Sequence, residues 1–240
     1  MVTKQSSARL AGRRYHGLTA PERTRQRRFA ILAAGLEVFG TGGYAGSSVK
    51  QICRAGRLTE RYFYESFTDR ESCLAQLYSQ LVDQLRAATL AAVESAETDA
   101  DARAHAGLHA FIGYLTDDPR RARVVLIEVV GVSPEMEARR HRVLQEFADV
   151  VASIWADSRA QPLNQKERST AVALVGGVNH LLVDWLMTGS AQHRTDLADV
   201  CTTLFSAARE RLDAQQHCAP HRASPTTGTS DSSTAQHPPG

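Results

Sequence analysis

The run from Ser47 to Phe67, SSVKQICRAGRLTERYFYESF, constrains the fold more than any other part of the chain. Ser48 suits a helix start, because its side-chain oxygen can accept a backbone N–H that the first turn leaves unpaired. Gln51, three residues on, completes a capping-box pattern with it. Val49, Ile52 and Cys53 then fall at i, i+3 and i+4, which gives this helix one narrow apolar face. The pattern breaks around Gly56, and Thr59 offers a second cap. Leu58, just before that cap, and Phe63, at the fourth helical position, have the spacing of a hydrophobic staple. Phe63 and Phe67 turn inward, leaving Glu60, Arg61, Tyr62 and Tyr64 largely outward. Two short capped helices joined by a tight turn make a helix-turn-helix.

A second helix of this size can enter a DNA major groove, and exposed aromatics beside an arginine make sense against phosphates and base edges. The run resembles the DNA-binding signature of the TetR family of transcriptional regulators, in its variants ending RYFYESF. The resemblance begins upstream, at Arg28, Ile31, Leu32, Ala33, Ala34, Phe39 and Gly43, and ends at Asp69-Arg70-Glu71. It spans roughly residues 25 to 85. One departure stands out: Arg57 occupies the place where the family usually has Gly, with Gly56 one position early. A left-handed turn there costs Arg more than Gly. The resemblance implies that Ser48, Thr59, Tyr64 and Arg70 hold phosphates, with Lys50 in the same DNA-facing set. It implies that Glu60, Arg61 and Tyr62 meet base edges, Arg61 best suited to guanine because its fork matches O6 and N7.

Charge supports this reading by its distribution, not its sum. The net charge is only +2, yet Lys4, Arg9, Arg13, Arg14, Arg23, Arg25, Arg27 and Arg28 crowd the N-terminal end, where Glu22 is the only acid. A basic arm beside a helix-turn-helix is an electrostatic footprint for DNA. Cys53, Cys73, Cys201 and Cys218 show no CxxC spacing, and the first three lie on apolar helical faces, as expected of buried, reduced thiols in a cytoplasmic protein. The most apolar stretch, Ala171 to Met187, is interrupted by Asn179, His180 and Asp184 and is too short for an unbroken membrane span.

Residues 1–18 are polar and without period and read as a disordered arm. Thr19-Ala-Pro-Glu22 is a capping box that opens a helix with Leu32, Leu36 and Phe39 inward, followed by a glycine-rich loop from Gly40 to Gly46. Thr68 with Glu71 reads as a further capping box, starting a long helix. VVLIEVV, at 124–130, fits a strand as well as a helix and is assigned to helix because no partner strand is evident. The last two helices span Lys166–Met187 and Thr195–Leu212. An all-α chain of nine helices results, divided into a DNA-binding domain at 19–85, a second domain at 86–212, and a disordered tail at 213–240. The resemblance implies three helices for DNA and six for ligand binding and dimerisation.

The ligand site is read from lone polar or aromatic groups in the apolar stripes of the fourth helix through the eighth. Tyr78, His109, Phe111, Glu128, Trp155 and Asn179 are the expected lining of an effector pocket. For Glu128 the plainer account is pairing with Arg123; for His180 and Asp184 it is a hydrogen-bonded pair fixing helix packing. His105 and His109 stand at i, i+4, a chelating spacing, but with no third ligand nearby no metal site is expected, and no cofactor. Leu174, Gly177, Val178, Leu181 and Trp185, with Leu197, Val200 and Leu204, form broad apolar faces expected to pair with a second copy. Gly176 and Gly177 sit mid-helix, where each is unfavourable by about 1 kcal/mol relative to Ala; close approach of another copy's helix would explain them, the plainer account being a bulky neighbour within the same subunit. No G-x-S-x-G or P-loop points to an enzyme. The expectation is a homodimeric regulator, most often a repressor in this family. It would read a near-palindromic double-stranded operator, be released by a small apolar effector, and have no membrane partner. The alternatives are a helical adaptor that has lost DNA binding and, further behind, an all-α enzyme.

Overall fold

The computed structural model describes residues 19–157, 162–189 and 194–217. Within them every regular element is helical: α1 (Ala20–Gly42), α2 (Val49–Ala55), α3 (Glu60–Tyr64), α4 (Arg70–Ser95), α5 (Ala100–Asp117), α6 (Pro119–Arg123), α7 (Pro134–Asp157), α8 (Gln165–Thr188) and α9 (Arg194–His217). The all-α expectation holds. The N-terminal arm and most of the C-terminal tail lie outside the described residues.

Local chemistry sets the starts. Thr19 and Glu22 form the capping box at α1, with the Thr19 N–H donating to the Glu22 carboxylate at 2.6 Å. The start of α4 differs from the sequence reading: Asp69, not Thr68, is the cap, accepting from Ser72 N–H at 2.7 Å, while Thr68 donates to the Asp69 carboxylate. A carboxylate at a helix N-terminus answers both the unpaired N–H groups and the dipole, so it outcompetes a hydroxyl. The same N–H from Ser72 holds the Asp69 carboxyl below its usual range.

VVLIEVV is helical. Its first five residues, Val124–Glu128, continue α6 as a π-helical turn, and Val124, Val125, Leu126 and Val129 are buried. Helix α1 runs further than the glycines suggest, through Gly42, because Gly40 is a packing glycine. A Cβ on it would lie 2.5 Å from the Arg120 Cβ, so only glycine lets α6 sit against the end of α1. Gly107 plays the same part where α5 crosses α4, its missing Cβ falling 2.8 Å from Val93 Cγ2.

Helix α4 packs on α5, α5 on α9, and α7 on α8, while α1 is held against α2, α4 and α6. One hydrophobic core runs through both halves, from Phe39 and Phe63 to Trp155 and Phe205. Helix α4 continues unbroken through residue 85, so the boundary read there falls inside a helix that belongs to both halves.

Candidate nucleic-acid interface and interior cavity

The turn between α2 and α3 is built as its sequence dictates, with one strained residue. The Ser48 hydroxyl accepts from Gln51 N–H at 3.2 Å, and Ile52 and Cys53 face inward. Arg57 carries the turn at φ 51°, the only non-glycine with positive φ among the described residues. It adopts the left-handed conformation that glycine usually supplies, and the Leu58 N–H then reaches Cys53 O at 2.9 Å. Thr59 sets the start of α3, but its side chain makes no capping bond, so the expected side-chain cap is absent at that position.

Phe63 is completely buried and packs on Phe67 with ring centroids 5.6 Å apart, which fixes the rotation of α3. The opposite face is left to solvent. The Arg61 side chain is 84% exposed, steadied by Glu65 at 3.1 Å, and Tyr64 is 55% exposed. Ser48, Lys50, Thr59 and Glu60 are exposed on the same head.

Two members of the expected DNA-facing set are placed differently. Tyr62 is half-buried, with the Arg27 guanidinium of α1 4.4 Å from its ring centre. Arg70 points into the head: it donates to Tyr44 O at 2.8 Å and to Ser47 O, and lies 4.2 Å over the Tyr44 ring. Its charge holds the loop that leads into the Ser48 cap. Arg28, counted with the basic arm, likewise clamps Ser66 O at 2.6 Å and covers the Phe67 ring. Cation–π contact and carbonyl binding together explain why these arginines face inward.

In the second half a cavity of ≈ 60 Å³ lies between five helices. Its walls are Thr89 and Val93 of α4, Ala104, Gly107, Leu108 and Phe111 of α5, Phe147, Val150, Val151, Ile154 and Trp155 of α7, Val175 and Val178 of α8, and Phe205 of α9. Thr89 brings the only side-chain hydroxyl, which is already given to Leu85 O at 2.8 Å. Of the six residues read as pocket lining, Phe111 and Trp155 stand on these walls; Tyr78, His109, Glu128 and Asn179 do not. Tyr78 is core, and burial pushes its hydroxyl up to about 12. His109 faces Asp199 of α9 at 3.2 Å. The remaining wall residues carry the same apolar signal as any core residue, so no feature of sequence could single them out.

Glu128 takes its plainer role and extends it. Arg123 binds one carboxylate oxygen at 2.8 Å, and the Tyr44 N–H donates to the other at 2.6 Å, across 84 positions. Arg120 adds an ion pair to Glu37 of α1. The π-helical turn therefore sits at the junction between the two halves. A π-turn often marks a functional position, since the extra residue re-aims side chains.

The expected partner face is split. Val178 and Leu197 are buried within the subunit, and Leu174, Leu181 and Trp185 are partly so. Val200 and Leu204 remain exposed, joined by Val172 and by Met187 at 71%. Gly176 and Gly177 are exposed with no atom within 4 Å of an added Cβ, so no neighbour inside the subunit accounts for them. His180 and Asp184 stand on this outer face, not in the helix packing expected of them. Helix α8 has the length and composition to cross a membrane, with only 17% of that window buried. Cys53, Cys73 and Cys201 are free and buried, as expected.

Residues 31–77 match the family model described as bacterial regulatory proteins, tetR family. None of the curated proteins matches the chain. Among solved structures the fold is shared with the fatty acid degradation regulator FadR from Bacillus halodurans, at 18% identity and TM-score 0.64 over 75% of this chain and 94% of that one. FadR from Bacillus subtilis, in complex with stearoyl-CoA, aligns at 17% identity and TM-score 0.66 over 74% and 96%. A TetR-like transcriptional regulator from Rhodococcus sp. RHA1 aligns at 16% identity and TM-score 0.64 over 76% and 94%. The head thus matches the tetR-family model of bacterial regulatory proteins over residues 31–77, and the chain shares the fold of TetR-like regulators along three quarters of its length.

Proposed function

We propose that the chain is a cytoplasmic homodimeric repressor that leaves its operator when a small, apolar effector enters the α4–α9 cavity. The observation that carries DNA reading is the rotation of α3: buried Phe63 forces Arg61 and Tyr64 outward, beside the unengaged Thr59 cap and Lys50. Arg61 would read a base edge, and Ser48, Lys50, Thr59 and Tyr64 would meet phosphates. Two such helices in successive major grooves, about one helical turn apart, require a near-palindromic site.

Dimerisation is supported by the outer face of α8 and α9. Val172, Val200, Leu204 and Met187 leave apolar area in water, and Gly176 and Gly177 offer room for a helix at close range. That face also accounts for the apolar composition of α8 without a membrane. An effector is supported by the cavity's almost wholly apolar walls, which suit an acyl chain or a ligand of similar character; a structural neighbour holds stearoyl-CoA. At ≈ 60 Å³ the cavity is well below the roughly 300 Å³ at which ligand pockets begin, so an effector must spread the helices around it. Helix α4 links that movement to the head directly, and Glu128 with Arg120 links it through α6. The effector acts only through its different affinity for the two arrangements.

Fragments of the source genome selected by the purified protein test the reading. The expected result is a palindromic consensus bound with strong salt dependence and released by acyl-type ligands. Failure to retain any fragment above non-specific background at moderate salt removes the operator claim.

A further inference from the structure

We propose that His105, His109 and Asp199 form a binding site for a late first-row divalent metal ion of the zinc class, clamping α5 to α9. The two histidines lie one turn apart on α5, with ring centroids 4.1 Å apart and planes inclined by 36°. Asp199 reaches them from α9, its Oδ1 3.2 Å from His109 Nε2. The ligand atoms of all three residues fall within 4.8 Å of one another. A tetrahedral ion with bonds of about 2.0–2.1 Å sets its ligands roughly 3.4 Å apart, so small rotations of exposed side chains complete the geometry.

The donor set decides the class of ion. Two imidazoles and one carboxylate suit zinc, nickel, cobalt or copper, whereas magnesium and calcium take oxygen donors. The half-exposed position leaves the fourth site to water. A second account of the same contact is a bare His109–Asp199 bond that ties the helices without metal. It gives no part to His105, which is exposed yet turns its ring against His109.

Tag-free full-length protein titrated with Zn²⁺ against a chromophoric chelator, and with Co²⁺ followed by visible absorption, provides the test. One ion per chain is expected, with melting temperature rising as metal is added, since the ion binds the folded state. His105→Ala, His109→Ala and Asp199→Asn should each weaken binding roughly tenfold or more. A chain carrying His217→Ala, Cys218→Ala and His221→Ala should bind like the parent. Metal-free melting curves of all variants establish that they fold; His105→Gln and His109→Gln replace any alanine variant that does not. No bound ion at micromolar metal, or binding indifferent to both histidines, overturns the proposal. Binding that depends on the histidines but not on Asp199 overturns the three-ligand site, as does binding lost only with the C-terminal changes.

Discussion

In the head, α2 and α3 hold seven and five helical residues, far too few to stand alone. They keep their shape through individual bonds: the Ser48 cap, the Arg57 turn, Arg70 on the Tyr44–Ser47 loop, and Arg28 on Ser66. In the second half α4, α5, α7, α8 and α9 run from 18 to 26 residues and hold together by apolar stripes. The head is thus held at named atoms, whereas the second half closes mainly on apolar stripes around a small void, with ion pairs such as Arg209–Asp101 and Arg103–Asp157 added between its helices. On the proposed function, that difference would let the second half rearrange under a head of fixed shape.

The largest test of that contrast is Phe63→Ala. Emptying the fully buried staple should lower stability by about 3–5 kcal/mol and abolish operator binding. Thermal melts should show the head unfolding before α4–α9. A single transition with only a small shift would mean that the head does not depend on single residues. Next comes Gly177→Leu on the outer face of α8. It should raise the dimer dissociation constant about a hundredfold, or about 2.7 kcal/mol, as read by sedimentation, and weaken operator binding with it. An intact dimer of normal affinity would move the interface elsewhere.

Arg61→Ala should cost about 1–3 kcal/mol of operator binding and relax preference at one base position, measured on a panel of single-base variants. Uniform weakening across the panel would reassign Arg61 to phosphate. Glu128→Gln leaves a weaker acceptor for Arg123 and the Tyr44 N–H, a change of about 1 kcal/mol. Its effect should appear in the effector dose response more than in operator affinity without effector. The reverse pattern would make the junction a scaffold and not a coupling.

The smallest effect concerns Asp101, whose carboxyl is held below its usual range by its bonds to Arg209, across α5 and α9. Because the folded pKa is lowered, its contribution is present above about pH 3.9 and is lost as pH falls through the folded value. Asp101→Asn should lower stability at pH 7 by about 1 kcal/mol or less for a partly exposed pair, and the difference should vanish once pH has fallen through the lowered folded value. A difference that persists in acid would assign the effect to packing.

Within α2 and α3, the first cap and the inward and outward faces are decided by residues up to four positions apart. That is why the Ser48 cap, the inward Phe63 and Phe67, and the outward Arg61 were legible in the sequence, as were the all-α class and the buried Cys53, Cys73 and Cys201. Short-range bonds and helical period depend on spacing alone. The inward turn of Arg70 toward Tyr44, the Glu128–Tyr44 bond, and the meeting of His109 with Asp199 were decided only by tertiary structure. The same holds for which members of identical apolar stripes border the cavity and which, like Val178 and Leu197, are buried inside the subunit while Val200 and Leu204 stay outside. Those outcomes depend on how long helices cross, and the crossing is set by many weak contacts summed over residues distant in the chain, none of which carries a signature of its own.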